Sequence, residues 1–256
     1  MPSVTGPIRR RSKRIAMTDR VTLSFSDQGV ATVLICNPPL NIYDLEMRDG
    51  LIEAIAAIRD NPDARCLLLQ AEGRNFSAGA DLTEFGSAAS IFEGRRIRWD
   101  RDPWLPLLGL SVPTIAAIKG HTIGSGLEMA MLCDLRIAAT DAVLGLPEAK
   151  LGMLPAAGGT QSLTRLVGSG CASPIILTGR NLDASEALEL GIVTEVTEPG
   201  ELDRTAERRA EELVGLDPDV AMKLRRCLAA SKDLPLHFGL ELERRLATHR
   251  KGDGPI

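Results

Sequence analysis

The sequence is poor in the residues that build many familiar catalytic centres. Its three histidines, His121, His237 and His249, stand at no metal-ligand spacing from one another or from a cysteine. That argues against a zinc site and against a Cys/His nucleophile pair, and no metal is assigned. The five cysteines, Cys36, Cys66, Cys133, Cys171 and Cys227, are an odd number without C-x-x-C spacing and read as reduced thiols. No apolar run approaches the roughly 18 residues that span a bilayer, so no integral membrane protein is expected. Aromatic residues make up only 3% of the chain. The accompanying excess of Ala, Leu and Gly suits helices packed closely on backbone better than an all-β sandwich, and the expected class is α/β.

What is present is ordinary for a globule: 256 residues, 44% hydrophobic and 25% charged, enough for one large buried core or two small ones. No linker divides the chain, and no low-complexity segment follows the N-terminal arm. The net charge of −4 gives no overall pull toward nucleic acid, yet residues 1–16 hold Arg9, Arg10, Arg11, Lys13 and Arg14 and no acid, so the remainder carries −9. This arm lacks the hydrophobic segment of a secretory signal. It is expected to be disordered leader outside the functional unit, because Met17 begins the sequence Met-Thr-Asp-Arg-Val directly before the first strand pattern. The expected location is cytoplasmic, or the mitochondrial matrix if the arm is a transit peptide.

Val21, Leu23 and Phe25 alternate with polar residues, a turn follows at Asp27-Gln-Gly29, and Val30 to Cys36 is a second apolar run, together predicting a hairpin. Leu51, Ile52, Ile55, Ile58 and the stem of Arg48 recur at helical spacing over 45–58, with Asp44 as N-cap. Buried strands are predicted at 66–70, 112–118, 135–139 and 192–196. Helices are predicted at 184–190, 201–214, 219–229 and 234–249. Between residues 83 and 105, Arg95, Arg96, Arg98 and Arg101 interleave with Trp99 and Trp104. At that spacing they fit a solvated helix face with aromatic anchors better than a base-stacking surface.

The chain is organised around Lys119-Gly-His-Thr-Ile-Gly-Ser-Gly-Leu-Glu-Met-Ala-Met-Leu-Cys-Asp134. Gly124 and Gly126 strip side chains from around Ser125, and the apolar run after them suits a helix, so Ser125 would present its backbone N–H at a helix N-terminus. Glu128 then fits either a first-turn complement to the helix dipole or a catalytic carboxylate. A second small-residue loop, Gly73-Arg-Asn-Phe-Ser-Ala-Gly-Ala-Asp-Leu82, also brings backbone amides within reach of a ligand, and Leu146-Pro-Glu148 offers another carboxylate at a strand mouth. Taken singly, these two fit an ordinary loop and a solvated side chain better. On one continuous helix Glu128 and Glu148 would lie roughly 30 Å apart, so only the chain reversals at Cys133-Asp134 and near Asp141 can bring them together.

In combination, Phe76-Ser-Ala-Gly-Ala-Asp-Leu82, Gly124-Ser-Gly-Leu-Glu-Met-Ala-Met-Leu-Cys-Asp134, Leu146-Pro-Glu148 and Gly158-Gly-Thr-Gln161 resemble the enoyl-CoA hydratase/isomerase (crotonase) family, over nearly everything from Arg20 on. The resemblance implies a superhelix of ββα units over 17–195 and a helical C-terminal region over 196–256. It also implies homotrimers or pairs of trimers, acyl-CoA thioester substrates, and no cofactor beyond the coenzyme A that belongs to the substrate. Ala80 and Ser125 would donate the two oxyanion-hole amides. Ala78 through Thr83, with Asp81 and Leu82 between, would run beside the coenzyme, and Ala156 would lie beside the acyl pocket. Glutamates at both Glu128 and Glu148 match the family's hydratases, which add water to a 2-enoyl-CoA; many isomerases keep only the carboxylate matching Glu148. Two departures stand out: Ser125 and Ala156 replace residues that are often glycine. A Δ3,Δ2-enoyl-CoA isomerase, or another CoA-thioester lyase or hydrolase, is the alternative within the fold, and an RNA-binding relative is a remote one. Ile123-Gly-Ser-Gly-Leu127 is not the G-x-S-x-G of serine hydrolases, and no His/Asp partner accompanies it.

Overall fold

A computed structural model describes residues 14–84, 90 and 101–248. The strands β1 (Ile15–Thr18), β2 (Val21–Phe25) and β3 (Val30–Ile35) form an antiparallel meander. From β3 the sheet continues in parallel through β4 (Cys66–Ala71), β5 (Thr114–Ile118), β7 (Leu135–Ala139) and β10 (Glu195–Thr197), giving the order β1-β2-β3-β4-β5-β7-β10. A smaller sheet holds β6 (His121–Ile123), β8 (Val143–Gly145) and β9 (Asn181–Asp183).

Parallel strands need cover on both faces, which is why β5 is buried at every position. Alternate residues go to opposite sides. Cys66, Leu68, Ile115, Ala117, Ile137 and Ala139 pack against Leu202, Ala206 and Ala210 of helix α6 (Leu202–Val214), whose i, i+4, i+8 spacing makes one stripe. On the other side, Leu67, Leu69, Ala116 and Ile118 join Leu51, Ile55 and Ile58 of α1 (Leu45–Asp60) and Met129 of α3 (Ser125–Met131) in the larger core cluster. As the sequence predicts, Asp44 caps α1, its Oδ1 accepting from Met47 N at 2.8 Å.

The connections repeat. Each unit runs along the large sheet and then through a second extended segment before turning into a helix or 3-10 turn. β5 leads to β6 and α3, and β7 leads to β8 and a 3-10 turn at Glu148–Leu151. β4 leads to the 77–80 segment, which bridges to Thr122 and Tyr43, and then to a 3-10 turn at Leu82–Glu84. β3 leads to the 40–43 segment and α1. Adjacent segments are rungs in hydrogen-bond contact, so the junctions that follow them stack at about the 4.8 Å spacing of paired strands. This is the expected ββα superhelix, and Ala80, Ser125 and Glu148 occupy matching places in three successive units.

The remaining helices are α2 (Trp104–Leu108), α4 (Gly159–Thr178), α5 (Ala184–Glu189), α7 (Pro218–Ala230) and α8 (Leu236–Thr248). No helix among the described residues is long and apolar enough to cross a membrane. Buried Arg225 fastens α7 to the body: its Nε donates to Asp134 Oδ2 at 2.7 Å, and its Nη atoms donate to the carbonyls of Leu107, Leu108 and Leu110.

Three boundaries differ from those read in the sequence. β1 begins at Ile15, inside the stretch assigned to the arm; Ile15 pairs with Leu23 and Ala16 with Thr22, so order there comes from a neighbouring strand and not from local periodicity. The strand expected at 192–196 lies at Glu195–Thr197, across the expected 195/196 boundary between the ββα core and the helical C-terminal region of the same domain. Ile192 and Val193 are instead buried with their amides on Ala187 O, closing α5. Within 83–105, α2 begins at Trp104 and runs through Pro106, whereas Arg95, Arg96, Arg98 and Trp99 lie outside the described residues, as do residues 1–13 of the arm.

Candidate active site

Gly79 and Gly124 make the site possible. Their φ values, +100° and +54°, lie where side-chain-bearing residues are strained. A Cβ on Gly79 would lie 3.0 Å from Ile123 O and 3.8 Å from Gly124 Cα, while one on Gly124 would lie 2.8 Å from Glu148 Oε1. The 78–80 loop, the Gly124 turn and the Glu148 carboxylate are therefore close neighbours. A Cβ on Gly126 would meet Ser77 Cβ at 2.7 Å, so that glycine brings α3 down onto the same loop.

Both proposed donors are positioned by their neighbours' bonds and not by bonds of their own. Tyr43 N donates to Gly79 O at 2.9 Å and Asp81 N to Tyr43 O at 3.1 Å, an alternation that turns the Ala80 N–H to the opposite side. Ser125 opens α3, where the first-turn N–H groups have no helical acceptor. Neither the Ala80 nor the Ser125 N–H donates to a protein acceptor among the described residues.

Glu128 is buried at 2% exposure in the first turn of α3. Its Oε1 accepts from Ala157 N at 3.0 Å and Gly159 N at 2.7 Å, at the start of α4. A Cβ on Gly159 would lie 2.9 Å from that oxygen and 3.1 Å from Leu146 Cδ1, so glycine is required for the amide to reach the carboxylate. The helix-dipole reading of Glu128 is thus met in altered form, since the helix start it complements most directly is that of α4. Apart from the glycine pair Gly158-Gly159, nothing local in the sequence marks the Ala157 and Gly159 amides as its partners. Exposed Ala156 precedes them.

Glu148 is half-buried at the head of its 3-10 turn, and its Oε2 is buried without a hydrogen-bond partner among the described residues. Burial holds this carboxyl above its ordinary range, only partly offset by a backbone hydrogen bond. A raised folded-state value means the native chain holds the proton more tightly than the unfolded chain. Stability is therefore lost as pH rises from the ordinary glutamate range through the raised value. Glu148→Gln is expected to melt above the wild type at neutral pH, with the gap closing below about pH 4, where both states are protonated. Equal melting temperatures across that range would contradict it.

The coenzyme-side segment grades outward: Ala78, Ala80 and Asp81 are half-buried, and Leu82 and Thr83 are exposed. Asp81 Oδ1 accepts from Thr83 N at 2.8 Å and Thr83 Oγ1 at 2.7 Å, which shapes the turn.

The superhelix of ββα units, a parallel-rich sheet followed by a helical C-terminal region, defines a protein of the crotonase fold. The sequence model of the enoyl-CoA hydratase/isomerase family matches residues 26–252, and the chain belongs to that family. It is similar to (E)-benzylidenesuccinyl-CoA hydratase of Thauera aromatica, 36% identical over 222 residues and 86% of each chain. It is also similar to the short-chain-enoyl-CoA hydratase of Clostridium acetobutylicum, 39% identical over 77% of this chain and 76% of the relative. Among solved structures, an enoyl-CoA hydratase from Bacillus anthracis superposes with a TM-score of 0.84 at 31% identity, covering 89% of each chain.

Proposed function

We propose that this chain is an enoyl-CoA hydratase that adds water syn across the double bond of a 2-enoyl-CoA to give a 3-hydroxyacyl-CoA. The observation that carries this reading is the pair of carboxylates at the two-amide turn, one pinned by backbone donors and the other holding its proton more tightly than usual. The Ala80 and Ser125 amides would polarise the thioester carbonyl and take up the charge of the enolate formed when oxygen reaches the β-carbon. Glu128, fixed as an acceptor, would take a proton from the attacking water, and Glu148 would deliver its proton to the α-carbon. The proton left on Glu128 must then return to Glu148 or leave to solvent before the next turnover. Relatives described as hydratases support this reading.

The coenzyme portion would lie along Ala78 to Thr83, with Ala156 on the acyl side. Homo-oligomerisation as a trimer or pair of trimers is part of the proposal. Supporting it, Leu224 and Leu228 on α7 and Leu236 and Phe238 on α8 expose 50–77% of their surface.

A second reading, 3-enoyl to 2-enoyl isomerisation, is favoured by one observation: Glu148 has a buried oxygen without a partner among the described residues, and one carboxylate suffices to move a proton between carbons. Incubation with crotonyl-CoA and, separately, a 3-enoyl-CoA separates the two when hydration is read as a mass gain by mass spectrometry and isomerisation, which leaves the mass unchanged, is read by chromatographic separation of the isomers. A gain of one water on crotonyl-CoA supports hydration. An unchanged crotonyl-CoA mass together with conversion of the 3-enoyl isomer would replace it with the isomerase.

A further inference from the structure

Asn41 is fully buried, and it is the sole non-glycine residue with positive φ, +49°, among the described residues. Its hydrogen bonds join two separate loops. Asn41 N donates to Asn37 O at 2.7 Å, and its Oδ1 accepts from Asn37 N at 2.8 Å. Its Nδ2 donates to both Glu72 O at 2.8 Å and Asn75 O at 2.7 Å. Both amide hydrogens and the carbonyl oxygen of the side chain are used, which is how a buried amide avoids an orphaned polar group.

The segment it fixes is the outer rung beside the 78–81 loop. Leu40 O, immediately before Asn41, accepts from Ala78 N at 2.8 Å, and Tyr43, two residues after it, holds both Gly79 O and Asp81 N. On the loop's other side, Ser77 N donates to His121 O at 3.1 Å and Ile123 N to Ser77 O at 2.9 Å, tying it to the strand that leads into Gly124. Asn75 closes the frame, its Nδ2 donating to Pro39 O and its Oδ1 accepting from His121 N. The direction of the Ala80 N–H is thus set by a three-rung assembly whose outer rung is anchored through the side chains of Asn41 and Asn75.

We propose that Asn41 is a positioning residue for this site: by clamping the 37–43 segment to the Glu72–Asn75 loop, it fixes the rung that aims the Ala80 N–H at the thioester oxygen. This rests on the oxyanion-hole reading of Ala80. Asn41 itself reaches neither substrate nor reacting atoms. An amide displaced by an ångström is a misaligned donor, and misplacement of that size costs on the order of 10²-fold in rate.

The test is Asn41→Gly, which keeps the positive φ and deletes the clamp. Its measurements are hydration of crotonyl-CoA and the infrared stretch of butyryl-CoA labelled with carbon-13 at the carbonyl, a ligand with no double bond to hydrate. In the wild type the bound carbonyl stretch should fall below its value in solution. In Asn41→Gly more than half of that fall should disappear, with kcat down about 10- to 100-fold and KM within about threefold. If Asn41→Gly does not fold, Asn37→Ala serves, since Asn37 Nδ2 donates to Ile42 O at 3.2 Å on the same rung. It should lose about three- to tenfold in kcat with KM unmoved. A folded Asn41→Gly with a wild-type carbonyl stretch overturns the proposal whatever its kcat, and so does Asn37→Ala at wild-type kcat where it stands in. A wild type that itself shows no carbonyl shift would instead overturn the oxyanion-hole reading, and the role of Asn41 with it.

Discussion

Glu128→Gln and Glu148→Gln are each expected to lose about 10²- to 10⁴-fold in kcat for hydration, with little change in affinity for the coenzyme portion. The coenzyme is placed along Ala78 to Thr83, which neither change touches. In Glu128→Gln the new side chain could still accept from the Ala157 and Gly159 amides through its carbonyl oxygen, so α4 should keep its start, and the loss would report lost basicity rather than lost packing. In Glu148→Gln the new side chain fills the same space against Gly124 but has no proton of suitable acidity to give to a carbon. The double variant should lose less than the product of the two single losses, because base and acid serve one addition. Residual 3-enoyl to 2-enoyl conversion should survive in Glu128→Gln and vanish in Glu148→Gln. Near wild-type hydration by Glu128→Gln, with circular dichroism showing it folded, would refute the hydratase assignment.

Ser125→Pro should lose at least about 10²-fold in kcat, the size of the effect when one oxyanion-hole donor is removed. The substitution is informative because Ser125 is the first residue of α3, where proline is well tolerated and its missing N–H breaks no helical hydrogen bond. Helix and fold should survive while the proposed donor is deleted. Ser125→Ala keeps the N–H and should retain turnover. If Ser125→Ala is folded but inactive, the hydroxyl and not the backbone carries the function, and the role given to Ser125 is wrong.

Elements are legible in the sequence where one periodicity holds over several residues. The β2–β3 hairpin, the Asp44-capped α1, and the buried runs of β4, β5 and β7 all stand where alternation or continuous burial places them. Short segments are not legible. His121–Ile123 and Asn181–Asp183 are three-residue strands whose partners lie 22 or more residues away in sequence, and nothing local distinguishes them from turn. Ile15 and Ala16 read as part of the arm for the same reason.

The residues of the proposed site can be named without coordinates. Gly79, Gly124 and Gly126 announce backbone that must bend or approach closely, and Glu128 and Glu148 stand at family positions that need no structure to find. What each carboxylate meets is a matter of packing alone: the same residue type faces two amide donors at one place and has an oxygen buried without a hydrogen-bond partner among the described residues at the other. Those environments are made by contacts 29 to 31 residues apart for Glu128 and by the Gly124 turn for Glu148. Stacked rungs are the cause, since they set junctions from successive units side by side and so turn sequence distance into contact. Asn41 shows the same limit, because its role depends on carbonyls 31 and 34 residues away that no local pattern identifies.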